Sequence, residues 1–242
     1  MKIPVIRGVI DRRVLVNFRV DPLVLAPLVP APFRLKLQRG MGMAGVCLIR
    51  LKDIRPRDFP AWTGVSSENA AHRIAVEWEH QGQTLEGVYV PRRDTSSRLN
   101  TWAGGCLFPG EQHHARFDIL EENDRYVIAL KSDDTLTRLR IDGHRSSAWS
   151  TTSVFNTVQE ASDFFERGAL GYSATSKPGH FDGLELHSFN WKVQPLTIDK
   201  VESSFFDDPA RFPRGSVTFD SALLMTGIEH EWQGRESICC GS

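Results

Sequence analysis

Arg92-Arg93-Asp94-Thr95-Ser96-Ser97-Arg98 concentrates polar chemistry at the end of an apolar stretch that stops at Pro91. A guanidinium group suits a carboxylate or phosphate because its planar fork donates two parallel hydrogen bonds. Asp94 is placed to cap a helix running from about Thr95 to Ala103, with Gly104 as its terminator. The free N–H groups at that helix start, the hydroxyls, and Arg92, Arg93 or Arg98 would then form an anion site. The bland alternative is that Asp94 pairs with Arg98 four residues on, a surface ion pair worth ~0–1 kcal/mol. Glu68 is the candidate general acid or base, because a carboxylate in a barrel mouth can be pushed upward by desolvation. Its bland alternative is a solvated side chain.

Other chemistries find little support. His113 and His114 are adjacent, so on a strand they face opposite ways, and neither a His-Glu-x-x-His nor a paired Cys-x-x-Cys spacing occurs; no metal site is expected. Ser173 in Gly171-Tyr-Ser-Ala lacks the glycine-flanked elbow of a serine nucleophile. Gly40-Met-Gly-Met-Ala-Gly45 precedes a strand rather than a helix, which removes the dinucleotide reading, and no cofactor is expected. The tryptophans at 62, 78, 102, 149, 191 and 232 are scattered, as core or cavity lining would be.

The elements that must position these residues are mostly strands. Val14, Val16, Phe18 and Val20 alternate with Leu15, Asn17 and Arg19, the period of a strand. Asp21-Pro22 then starts a short helix that Pro30 ends. Further strands are expected at Phe33–Leu37 and Ala44–Leu51, followed by a long loop from Lys52 to Asn69 that carries Glu68. His72–Glu79 and Thr84–Val90 form the clearest hairpin, and its outgoing arm leads into the arginine run. Strand signals recur at Ala115–Leu120, Tyr126–Lys131, Leu136–Ile141, Leu184–Val193, Leu196–Phe206 and Val217–Met225. One helix interrupts them, where Thr157-Val-Gln-Glu160 reads as a capping box and Gly168 as the stop.

With 242 residues and no repeat or linker, one domain over residues 1–242 is expected. A net charge of -1 argues against nucleic acid or an anionic membrane surface as partners. The most apolar run, Leu23–Phe33, is broken by three prolines and is too short to span a bilayer, and Arg7, Asp11, Arg12 and Arg13 interrupt any secretory signal. A cytoplasmic location follows, with Cys47, Cys106, Cys239 and Cys240 as reduced thiols.

Four segments carry a family resemblance: Asp11–Pro22, Ser67–Arg73, Val90–Arg98, and Val201–Asp208 with Phe219–Met225. They resemble the uncharacterised bacterial proteins labelled YqjF-like, which are grouped with acetoacetate decarboxylase. The resemblance implies a mostly β fold with a few helices: a closed, cone-shaped antiparallel β-barrel with an internal cavity. It also implies that Arg12 or Arg13 lies near the decarboxylase's active-site arginine and that Glu68 corresponds to its loop glutamate. The decarboxylase needs a Schiff-base lysine beside a second lysine. That pair would fall around Ser97–Trp102, where this chain has no lysine. Arginine cannot replace it, because a guanidinium stays protonated and forms no imine.

The expected function is binding of a small, partly apolar organic acid in the cavity, with Arg12, Arg13, Arg93, Asp94, Arg98, Asn100 and Trp102 as the ligand-binding set. As an enzyme the protein would perform enolisation, hydration or lyase chemistry through Glu68. The rival is a non-catalytic binding or sensing module, and an oligomeric scaffold with a vestigial cavity is a third reading.

Overall fold

The computed structural model describes residues 4–98 and 109–239. Strand β1 (Ile6–Val20) organises it. Val14, Val16, Phe18 and Val20 bury in one core, while Leu15 and, beyond a bulge at Ile10/Arg12, Ile10 bury in another. Both faces of β1 are therefore covered, as expected of an interior strand with few polar positions. It pairs antiparallel with β4 (Met41–Pro56) on one side and with β13 (Val217–Cys239) on the other. The short helix α1 (Pro22–Leu25) follows β1, and the Asp21 carboxylate accepts from Leu23 N at 2.8 Å. Between α1 and β4 lie the two-residue strands β2 (Arg34–Leu35) and β3 (Leu37–Gln38) in place of the single strand expected there.

Next in the ring come β5 (Val65–His80) and β6 (Gln83–Thr95), the expected hairpin. Its two-residue turn takes positive φ at Gln81 (50°) and Gly82 (78°), which matches the twist of the strands it joins. β6 then pairs in parallel with β10 (Leu170–Ala174), β10 pairs antiparallel with β11 (His180–Ser188), and β11 pairs back onto β13. The pairings thus return on themselves through β13, β1, β4, β5, β6, β10 and β11. A second path from β6 runs through β7 (Gln112–Glu122), β8 (Arg125–Ser132), β9 (Arg138–Arg145) and β12 (Gln194–Ser203) to β13. The fold is mostly β, and antiparallel except at β6.

Helix α2 (Val158–Glu166) packs Ala161, Phe164 and Phe165 against the second core. Its cap is reciprocal: Thr157 Oγ1 accepts from Glu160 N at 3.1 Å, and Glu160 Oε2 accepts from Asn156 N at 2.7 Å.

Two expectations change. The long loop from Lys52 to Asn69 is mostly strand, since β4 continues to Pro56 and β5 starts at Val65. Lys52, Asp53 and Arg55 hide the pattern, but backbone ladders do not require apolar side chains on both faces. A helix capped by Asp94 does not begin at Thr95, because both residues belong to β6. The Asp94 carboxylate instead accepts from Arg92 Nε at 3.0 Å and Arg92 Nη2 at 2.7 Å, and Arg92 also reaches Asp134 at 2.9 Å. Ser96 and Ser97 are not helical, Arg98 is, and residues 99–103 of that expected helix lie outside the described residues.

Candidate functional site

Residues directly opposite on paired strands project from the same face of a sheet, so register places side chains in rows. On the face of β1, β4 and β5 that meets α2, one row is Arg13, Ile49 and Asn69. The next is Leu15, Cys47, Ala71 and, across to β6, Arg93. A third is Asn17, Gly45 and Arg73. Gly45 leaves its place in that row empty, and the Arg73 guanidinium reaches across it to donate to Asn17 Oδ1. A Cβ at position 45 would come within 2.2 Å of the Val16 carbonyl oxygen, so β1 and β4 close up only around a glycine.

These rows form the floor of a cavity of about 120 Å³, walled on its apolar side by Leu51, Val88, Val90, Leu184 and Leu186. Arg13, Arg73, Arg93 and Cys47 all line it. The partners of the three arginines are neutral. Arg13 Nε donates to Cys47 Sγ at 3.2 Å, and Arg93 Nε to Ser173 Oγ at 3.3 Å. The Arg73 guanidinium lies 4.6 Å from the Phe165 ring centroid, and that of Arg13 lies 5.6 Å from Trp191. Arg13 Nη1 and Arg73 Nε are buried with no hydrogen-bond partner among the described residues. Burial pulls Arg73 down to about 10, with the neighbouring Arg13 cation adding to it and Cys47 opposing it; burial also brings Arg93 to about 10. Both remain cations at neutral pH. The Asp94 carboxylate at the cavity edge is already held by Arg92. A buried charge without a counter-ion costs several kcal/mol, so an anion placed on this side of the sheet would relieve an unfavourable charge.

The opposite face of the same three strands is also rich in arginine, but there the charges are matched. Arg12, Arg50 and Glu68 form one row. Arg12 Nη2 and Arg50 Nε each donate to Glu68 at 2.5 Å. Arg12 also bonds Glu121, which arrives from β7, and Arg50 reaches Glu121 at 2.9 Å. Asp11 joins through Arg50 at 3.4 Å and Lys52 at 2.9 Å. Burial would lower the Arg50 guanidinium, but Glu68 and Glu121 outweigh it and raise the group further. Burial would likewise raise Asp11, but Lys52 and Arg50 hold its carboxyl below the usual range. Only 2% of the Arg12 side chain is exposed, and Glu68 and Glu121 supply the counter-charge it meets there.

Of the residues expected from sequence, the structure brings Arg13, Arg93 and Asp94 to the cavity. It sets Arg12 and Glu68 together on the other face. Arg98 is exposed, and Asn100 and Trp102 lie outside the described residues. Sequence reasoning did not single out Arg73 or Cys47. The available signal was parity: Arg73 occupies a core-facing position between Ala71 and Ala75, where a charge is anomalous. Among the described residues no lysine lines the cavity, no cluster of His, Cys, Asp and Glu could hold a metal, and no helix is long and apolar enough to cross a membrane.

The fold has counterparts among solved structures. The chain is similar over 99% of its length to acetoacetate decarboxylase from Legionella pneumophila subsp. pneumophila, at TM-score 0.62 and 10% identity, covering 88% of that chain. An acetoacetate decarboxylase-like enzyme from Sphingomonas wittichii RW1 is similar over 100% of this chain and 94% of its own, at TM-score 0.58 and 12% identity. The enduracididine biosynthesis enzyme MppR complexed with pyruvate is similar over 99% of this chain and 91% of its own, at 0.56 and 11%. The fold is that of the acetoacetate decarboxylase-like proteins. Within that class, residues 10–221 match DUF2071, described as an uncharacterized conserved protein (COG2071), and the chain belongs to this family. None of the curated proteins compared with it matches.

Proposed function

We propose that the protein binds a small, partly apolar organic acid in the cavity beneath α2, with Arg13, Arg73 and Arg93 holding the acid group. One observation carries this reading: three guanidinium groups line one cavity, and none has a carboxylate partner among the described residues. The aliphatic wall suits the non-polar part of such a ligand. MppR, which shares the fold, has been crystallised with pyruvate, and this supports an organic acid as the ligand class.

The reading is tested by thermal shift and calorimetry with a panel of short carboxylic acids. Members of the panel should raise the melting temperature of the wild type, and Arg93→Met should abolish the effect. If no carboxylate shifts the transition, the proposal is wrong. Imine chemistry is not part of it, so trapping a keto acid on a lysine with borohydride would also count against it.

The enzymatic version, with Glu68 transferring protons, asks more of the molecule. Glu68 is on the opposite face and is engaged by Arg12 and Arg50. That engagement favours the binding or sensing module over acid/base catalysis. Turnover of a bound acid that Glu68→Gln abolishes, with binding unchanged, would reverse the preference.

A further inference from the structure

We infer that the ligand of the arginine cavity is a short dicarboxylate, with its two acid groups held by different arginines and its carbon chain lying over Cys47. The inference rests on the cavity being an organic-acid site and specifies which acids it takes. The first support is charge. The guanidinium groups of Arg13, Arg73 and Arg93, cationic by their chemistry, have only neutral partners among the described residues. A single carboxylate can neutralise one of them, leaving two buried positive charges, whereas a dianion leaves one, which the partly buried Arg93 or Arg13 side chain can keep near solvent.

The second support is spacing. Arg13 stands in register with Asn69, four residues along β5 from Arg73, and β1 and β5 are separated by β4. At about 3.4 Å per residue and about 4.8 Å per strand, their backbones are on the order of 16 Å apart. Arg73 and Arg93, by contrast, lie on neighbouring strands, with Arg93 in register with Ala71, two residues from Arg73. By backbone position one arginine thus stands at one end of these rows and two at the other, and the Arg73 guanidinium reaches back across Gly45 toward Asn17 on β1. Cys47 stands in the middle row, with Arg13 Nε 3.2 Å from its sulfur.

The third support is size. The cavity of about 120 Å³ has room for on the order of ten water-sized positions, since one water needs roughly 10–15 Å³ by the same measure. A four- or five-carbon dicarboxylate has a comparable number of non-hydrogen atoms. Its methylene groups would meet Ile49, Val90, Leu184 and Leu186.

The experiment is calorimetry on the full chain with succinate, glutarate and 2-oxoglutarate against butyrate, pyruvate, monomethyl succinate and inorganic sulfate. A dicarboxylate should bind at least about tenfold more tightly than the monoacid of equal length. Arg73→Met, and independently Arg13→Met, should bring the two classes to within about twofold of each other by removing one end of the clamp. Equal affinity for butyrate and succinate in the wild type would overturn the dicarboxylate inference and leave the organic-acid reading standing. Sulfate binding as tightly as succinate would show a compact anion site and overturn the spanning geometry. Failure of every acid to bind would overturn both readings.

Discussion

Strands β1, β4, β5 and β6 carry two groups of arginines on opposite faces, and the groups have opposite electrostatic characters. On one face Arg12 and Arg50 meet Glu68 and Glu121, with Lys52 and Asp11 extending the network. On the other, Arg13, Arg73 and Arg93 meet a thiol, an amide and a hydroxyl. A matched cluster of buried charges is self-sufficient, and its members have little left to offer a ligand. An unmatched one stores unfavourable free energy that an anion can release. Arginine density alone therefore does not mark a binding site. What distinguishes the two faces is whether carboxylates come with the arginines.

Removing Glu68 is the most severe way to test that contrast. Glu68→Ala leaves Arg12 and Arg50 short of a counter-charge in a buried place, and denaturant unfolding should show a loss of about 3–5 kcal/mol. A loss under about 1 kcal/mol would mean that Glu121 and water suffice, and the matched cluster would not be structural. The corresponding change on the other face should have the opposite sign. Arg73→Met deletes an unmatched cation while keeping most of its volume over Phe165, and the ligand-free protein should gain about 1–3 kcal/mol. If both substitutions destabilise equally, the two faces do not differ in the way described.

Acid should sharpen the comparison, because each face has one buried histidine. His72 lies on the Arg12 face, two rows further along in register with Val46 and Val16, and burial, helped by Arg92 and Arg211, lowers it to about 3. His230 is lowered to about 4 by burial and the nearby Arg13, against a raising contact from the Ile228 backbone. Between the unfolded value near 6.5 and these folded values, the unfolded chain holds a proton that the folded chain does not. Stability should therefore be greatest above pH 6.5 and fall as pH drops through that window, by about 1.4 kcal/mol per unit for each histidine fully within it. His72→Phe should remove about half of the slope between pH 6 and 5. An unchanged slope would assign the acid sensitivity elsewhere. The smallest effect is expected at Thr157→Ala, which deletes the α2 cap. It should cost about 1 kcal/mol in melting experiments and leave carboxylate affinity within about twofold, since α2 supports the cavity through Phe165 rather than through its first turn.

Much of the ring was legible before any coordinates. The period-two runs of β1, β4 and the β5–β6 hairpin, and the capping residues of both helices, are local signals that the tertiary structure had no reason to override. The expected loop from Lys52 to Asn69 failed for a local reason too. Its strand residues are charged, so the period of apolar side chains disappears while the backbone ladder continues. The candidate site was legible only in part. Arg13 and Arg93 stand out as basic residues at strand positions, whereas Arg73 is embedded in an apolar arm and attracts notice only when its parity is counted. Asp94 was visible as a helix cap and became instead the partner of Arg92, because β6 runs on through Thr95 to pair with β7.

What the sequence determined by itself is that Arg12 and Arg13 must part company, since adjacent residues on a strand face opposite sides. It could not say which of them would find carboxylates. Glu121 comes to Arg12 from 109 residues away, and Ser173 comes to Arg93 from 80 residues away. Those meetings depend on the ring closing, and ring closure depends on register across many strands rather than on any short stretch of chain. The tertiary structure thus decided which arginines are matched by the protein's own carboxylates and which meet only neutral partners among the described residues.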